Sequence, residues 1–150
     1  GWRIGYIIST NLEAMKQVVK IQYYISACSN DAMQYAVLEA MEQANDYPSH
    51  MAKEFQARCN LIVDRLNAMP GVQCHRPKGA IYVFPKVEAP GMNSEEVAME
   101  LLKDGVLCSP GSAFGPSGEG HLRFAYTISQ EDIARGMDKV EATLRRLQDA

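Results

Sequence analysis

The chain has 150 residues, 47% of them hydrophobic and 22% charged, with a formal net charge of −3, which is enough apolar material to bury a core and reads as an ordinary globular sequence. Lys and Arg are scattered without forming a basic stripe, which argues against a nucleic-acid partner. No apolar run approaches the ~20 residues of a membrane-spanning helix, and the first residues lack the order of a signal peptide, so the default expectation is a cytoplasmic protein with no membrane contact.

The sequence opens Gly1-Trp2-Arg3-Ile4-Gly5-Tyr6, and the apolar content of residues 3–8 predicts a short buried strand. Ser9-Thr10-Asn11 then supplies turn and capping residues. Thr10 followed by Glu13 has capping-box spacing, and Leu12, Met15, Val18 and Val19 recur at helical intervals. A break at Ser29-Asn30-Asp31 precedes a second helical stretch with Met33, Val37, Ala40 and Met41 on one face. Pro48 punctuates the chain. Beyond it, Met51, Phe55, Ile62 and Leu66 fit one long amphipathic helix that stops before Pro70-Gly71.

From Gly71 onward the pattern turns to short strands, expected at 72–74, 80–84, 106–109 and 121–126, with Gly and Pro between them. A helix is predicted over 94–103, where Val97, Leu101 and Leu102 are apolar and Glu95 and Glu96 sit in the first turn, favoured there by the helix dipole. Ser129 and Asp132 occupy cap positions before a docked terminal helix, in which Ile133, Met137, Val140, Leu144 and Leu147 alternate steps of four and three. Strands and helices together predict an α+β domain from about residue 48 to the C terminus, its helices on one face of a small sheet.

Two arginines stand in settings that suit anions. In Gly120-His121-Leu122-Arg123-Phe124-Ala125-Tyr126 the large apolar side chains alternate with His121, Arg123 and Ala125, so a strand there turns Arg123 to the face opposite the core. A guanidinium on an open face can hold a planar carboxylate through two parallel charge-assisted hydrogen bonds, which lysine cannot reproduce. Gly1 and Gly5 flank Arg3, a setting that lets the backbone approach a compact anion such as a phosphate. The stretch 111–120 is glycine-rich but lacks the Gly-Lys-Ser/Thr ending of a phosphate loop, and it reads as a flexible connection, with Ser112 and Phe114 as candidates to approach a ligand. Phe114 is expected in the core in preference to a ligand contact, and the alternation leaves the face of Tyr82 open. Cys28, Cys59, Cys74 and Cys108 have no C-x-x-C spacing and read as reduced thiols, and His50, His75 and His121 are not at metal-ligand spacing.

These segments resemble a known family. Gly1-Trp2-Arg3-Ile4-Gly5-Tyr6 is similar to the segment that follows the cofactor-binding lysine in class I and II aminotransferases, the fold-type-I enzymes that use pyridoxal 5'-phosphate. Pro77-Lys78-Gly79-Ala80-Ile81-Tyr82-Val83-Phe84-Pro85 resembles one of their strands, and Pro110-Gly111-Ser112-Ala113-Phe114-Gly115 with Gly118-Glu119-Gly120-His121-Leu122-Arg123 resembles their C-terminal signature. The resemblance implies the C-terminal portion of such an enzyme. Residues 1–48 would be a remnant of the large cofactor-binding domain, and residues 49–150 the small α+β domain, opening with a long connecting helix. It implies that Arg3 contacts the cofactor phosphate, that Arg123 binds the α-carboxylate of the substrate, and that Ser29 and Asn30 come near a neighbouring subunit's active site. The Schiff-base lysine is expected upstream of residue 1, so no catalytic residue is assigned within the chain, which by itself is expected to be inactive. The expected reaction of the parent, as a homodimer, moves an amino group between an amino acid and a 2-oxo acid. A C–S lyase or decarboxylase of the same fold, or a non-catalytic isolated domain, are the alternatives.

Overall fold

A computed structural model describes residues 2–43 and 46–149, and the chain divides into two compact units, Gly1–Ser49 and His50–Ala150. The first contains helices α1 (Leu12–Ser26) and α2 (Asp31–Gln43). Asn11 caps α1, its side chain accepting a hydrogen bond from the Ala14 N–H at 3.0 Å. The cap therefore falls one residue later than the expected Thr10–Glu13 box, on Asn11, a stronger capping residue than Thr. Asn30 serves α2 in the same way, accepting from the Met33 N–H at 3.1 Å. Neither helix buries a residue fully.

The expected buried strand at residues 3–8 does not form: residues 2–9 adopt neither strand nor helix, and Tyr6, Ile7 and Ile8 are exposed. A strand exists only through pairing, because its backbone N–H and C=O groups must find partners on a neighbour, and among the described residues these have none.

Helix α3 (Tyr47–Asn67) carries Pro48 in its first turn. The missing N–H costs nothing there and φ is already helical, so Pro48 starts the helix instead of breaking the chain. The second unit continues through β1 (Val72–Gln73), β2 (Tyr82–Val83), β3 (Lys86–Val87), α4 (Ser94–Lys103), β4 (Ser109–Pro110), β5 (Leu122–Ala125) and α5 (Gln130–Gln148). All pairings are antiparallel. β5 lies between β2 and β4, with Val83 opposite Phe124 and Ser109 opposite Arg123, and β1 pairs with β3. A bridge between Lys86 and His121 ties β3 to the start of β5, so residues 82–87 run beside β5 with a break at Phe84-Pro85.

Alternation sorts the two faces of this sheet. Val83, Leu122, Phe124 and Tyr126 point to the core and meet Ile62, Val63 and Leu66 of α3, Val97 and Leu101 of α4, and Ile133, Val140 and Leu144 of α5. Each such fully buried aliphatic side chain contributes about 1.5–3 kcal/mol. Helices thus cover one face, giving the α+β architecture that the periodicity implied, while Tyr82, Phe84 and Arg123 stand on the other. Two strand boundaries differ from expectation. Residues 106–108 are not a strand, because the Val106 N–H is drawn back to the Leu101 carbonyl (2.9 Å) to close the end of α4. Pairing with β5 begins only at Ser109 and ends with Pro110, a residue that an edge strand tolerates because its outer side needs no N–H. β3 was not foreseen at all.

Candidate functional site

Arg123 sits at the centre of the open face of β5. Its Nη2 donates to Ser109 Oγ on the adjacent strand at 3.1 Å. Its guanidinium carbon lies 4.7 Å from the centroid of the Tyr82 ring and 4.7 Å from that of Phe114. Tyr82 comes from the strand on one side of β5, and Phe114 from the turn that follows the strand on the other side. The remaining N–H groups of the five that a guanidinium carries have no carboxylate within 4.0 Å among the described residues.

Most arginines of the chain differ from Arg123 in this. Arg58, Arg65, Arg76, Arg135, Arg145 and Arg146 are each in an ion pair; among the described residues, Arg3 and Arg123 are not. A half-buried cation without a counter-ion is an expensive arrangement unless a ligand supplies the charge. The alternation in the sequence placed Arg123 on this face, and the structure puts it there.

Phe114 and Tyr82 are the contacts that sequence reasoning did not resolve. Phe114 is not in the core: it is half exposed, edge-on to Phe84 with centroids 5.8 Å apart, and Phe84 stacks on His121 at 5.0 Å. The stretch 111–120 is not a flexible connection either. It forms two short 3₁₀ turns, Gly111–Phe114 and Pro116–Gly118, whose backbones press together so closely that a Cβ on Gly118 would lie 2.1 Å from the Gly111 carbonyl oxygen. Glu119 then clamps these turns to α4. Its carboxylate accepts from the Ser94 N–H (2.6 Å), the Ser94 hydroxyl (3.1 Å) and its neighbour Gly120 N–H (2.9 Å). The Gly120 and Ser94 backbone bonds hold its carboxyl below the usual glutamate range. Ser112 faces this knot, its N–H donating to Ser94 Oγ.

Tyr82 is held from the other side. Tyr126 donates its hydroxyl to the Ala80 carbonyl (2.8 Å) and its N–H to the Ile81 carbonyl (3.0 Å), fixing the entry to β2. Burial pushes the Tyr126 phenol up to about 12, so it remains a donor. Burial likewise raises the thiols of Cys74 and Cys108 to about 11, which makes them inert packing groups at neutral pH. All four cysteines are free.

Arg3 belongs to the first unit. Its backbone has φ +54°, in the left-handed region, and the residue lines a cleft of about 470 Å³ together with Tyr6, Met15, Gln22, Tyr23 and Ser29. No acidic side chain lines that cleft. A guanidinium, an amide and a hydroxyl without a competing carboxylate form a donor set that fits a phosphate. Gly5 has open space where a Cβ would stand, and Gly1 lies outside the described residues. Asn30 caps α2, and the Ser29 carbonyl accepts from the Gln34 side-chain amide.

The profile of the family described as aminotransferase class I and II matches residues 1–140. Among curated relatives, the chain is 35% identical over 147 residues to an aspartate aminotransferase of Pyrococcus horikoshii, covering 96% of this chain and 37% of that protein. It is 34% identical over 148 residues to aromatic-amino-acid aminotransferase 2 of Thermococcus litoralis, covering 97% and 38%. Among solved structures, the alanine aminotransferase of Pyrococcus furiosus superposes with a TM-score of 0.80 at 29% identity, over 92% of this chain and 36% of that one. The chain belongs to the class I and II aminotransferase family, and its fold is that of the corresponding part of these pyridoxal-phosphate-dependent transferases. It spans less than two-fifths of the length of the curated relatives it matches.

Proposed function

We propose that this chain is the C-terminal part of an aminotransferase that moves an amino group between an amino acid and a 2-oxo acid, with residues 1–48 contributing to the large domain and residues 49–150 forming the small one. The observation that carries this reading is Arg123: an ion-pair-free guanidinium on the open sheet face, braced by Tyr82, Phe114 and Ser109. Its free N–H groups suit the α-carboxylate that amino acids and 2-oxo acids share, and holding that end aligns the substrate's Cα–H bond with the base that removes its proton. Arg3 would hold the phosphate of pyridoxal 5'-phosphate. When bound, the pyridoxal ring supplies the electron sink that the reaction needs, while the protein orients the substrate and excludes competing reactions. Because relatives of this chain are named for aspartate, aromatic amino acids and alanine, the carboxylate site would define the substrate class and not the side chain.

The test uses the full-length, cofactor-loaded protein that contains this chain. Amino transfer to a 2-oxo acid is the expected activity, in preference to release of ammonia or thiol. Arg123→Lys is expected to weaken amino-acid binding by roughly 10- to 100-fold, the loss of a bidentate charged contact, with cofactor content nearly unchanged. An unaltered substrate affinity would remove the assignment of Arg123.

A further inference from the structure

We propose that Tyr82 and Phe114 are positioning residues that hold the Arg123 guanidinium in place on the open face of β5, so that its free N–H groups are offered to a carboxylate already ordered. The proposal rests on the reading of Arg123 as the carboxylate ligand. An arginine on an open strand has four freely rotating side-chain bonds, and ordering them on each binding event would cost affinity. Here the ordering is done in advance. The guanidinium carbon is held 4.7 Å from each of two ring centroids contributed from opposite sides of β5, at the separation where the ring quadrupole attracts a cation. Ser109 takes one N–H at 3.1 Å and fixes the remaining rotation about the side-chain axis. The guanidinium carbon lies over both rings, and the N–H groups that Ser109 does not take remain for a planar, two-oxygen acceptor.

Both rings are themselves supported. Phe114 rests edge-on against Phe84, which stacks on His121, and it hangs from a turn locked by the Gly111–Gly118 contact and by Glu119. Tyr82 follows a turn anchored through the Tyr126 hydroxyl to Ala80. Tyr82 and Phe114 nonetheless remain 42% and 51% exposed; two large rings kept at the surface, both within reach of the same unpaired cation, are poorly explained by stability.

The experiment compares Phe114→Leu and Tyr82→Leu with the ring-preserving Phe114→Tyr and Tyr82→Phe, and with Arg123→Ala, in the full-length cofactor-loaded enzyme. For each, KM and kcat for the amino acid are measured with cofactor content and the thermal midpoint. The leucine variants are expected to raise KM on the order of 3- to 30-fold, the value of a partly desolvated cation–π contact. The ring-preserving variants stay near wild type, all at unchanged cofactor content. If the leucine variants keep a wild-type KM while Arg123→Ala raises it, the positioning role is rejected and the carboxylate role of Arg123 stands. Equal damage from leucine and ring-preserving variants also overturns the proposal, since that pattern reports packing alone. If Arg123→Ala itself leaves KM unaltered, the carboxylate reading fails and the positioning role goes with it.

Discussion

Ala80 shows how a single strained residue supports the site. It is not a glycine, yet its φ is +64°, a conformation that costs a residue with a Cβ on the order of 1 kcal/mol. What holds it there is the Tyr126 hydroxyl on its carbonyl, and the result is that Tyr82, two residues on, emerges on the Arg123 face. Ala80→Gly removes the steric cost while keeping the carbonyl. The variant is expected to be as stable as wild type or up to about 1 kcal/mol more stable in urea unfolding, with the clamp geometry intact; a destabilised variant would mean that the Ala80 methyl has a packing role. At this scale the sequence was informative in part. The alternation around Arg123 revealed its orientation because it depends only on neighbours along one strand. Contacts from Phe114 and Tyr82 were hidden, since each depends on which strand lies beside β5 and how the intervening turns fold, and neither is written in local spacing.

Among the elements, legibility followed how local the stabilising bonds are. α4 and α5 could be read because their caps and apolar stripes are local: Asn93 and Glu96 form a capping box on α4, and Ser129 accepts from the Asp132 N–H on α5. Strands of two residues carry almost no periodic signal, so β3 was missed and β4 misplaced. The two 3₁₀ turns are the element where sequence and structure diverge most. Their glycines suggested flexibility, whereas Gly111 and Gly118 are buried and in backbone contact. Glu119 joins these turns to the first residue of α4, and its acid-strengthened carboxyl predicts a pH dependence. A carboxylate whose folded pKa is depressed adds stability above its unfolded pKa and loses it as pH falls through the folded value. Glu119→Gln is therefore expected to lower the unfolding midpoint at neutral pH, with the gap to wild type closing as pH drops below the ordinary glutamate value of 4.5. A gap that stayed constant into acid would show that the hydrogen bonds of Glu119 do not need its charge.

Across the whole molecule, burial is distributed unevenly between the two units. Every buried hydrophobic residue among those described lies between Cys59 and Leu144, in the second unit, where α3 and α5 are further joined by Arg65 with Asp138 and Glu141, and α4 and α5 by Arg146 with Glu100 and Asp104. The first unit leaves Tyr23, Tyr24, Ile25, Leu38 and Met41 exposed. Helices of 15 and 13 residues are only marginally stable in water without a packed face, since nucleation is costly and propensity alone barely offsets it. Amide hydrogen exchange on the 150-residue chain should therefore separate the two units. Protection in α1 and α2 is expected to approach that of an isolated peptide, while the central turns of α3 and α5 exchange only through global unfolding. Strong protection in α1 and α2 would require that their apolar faces be covered in solution, and its dependence on protein concentration would then tell self-association from intrachain packing, because only association follows mass action.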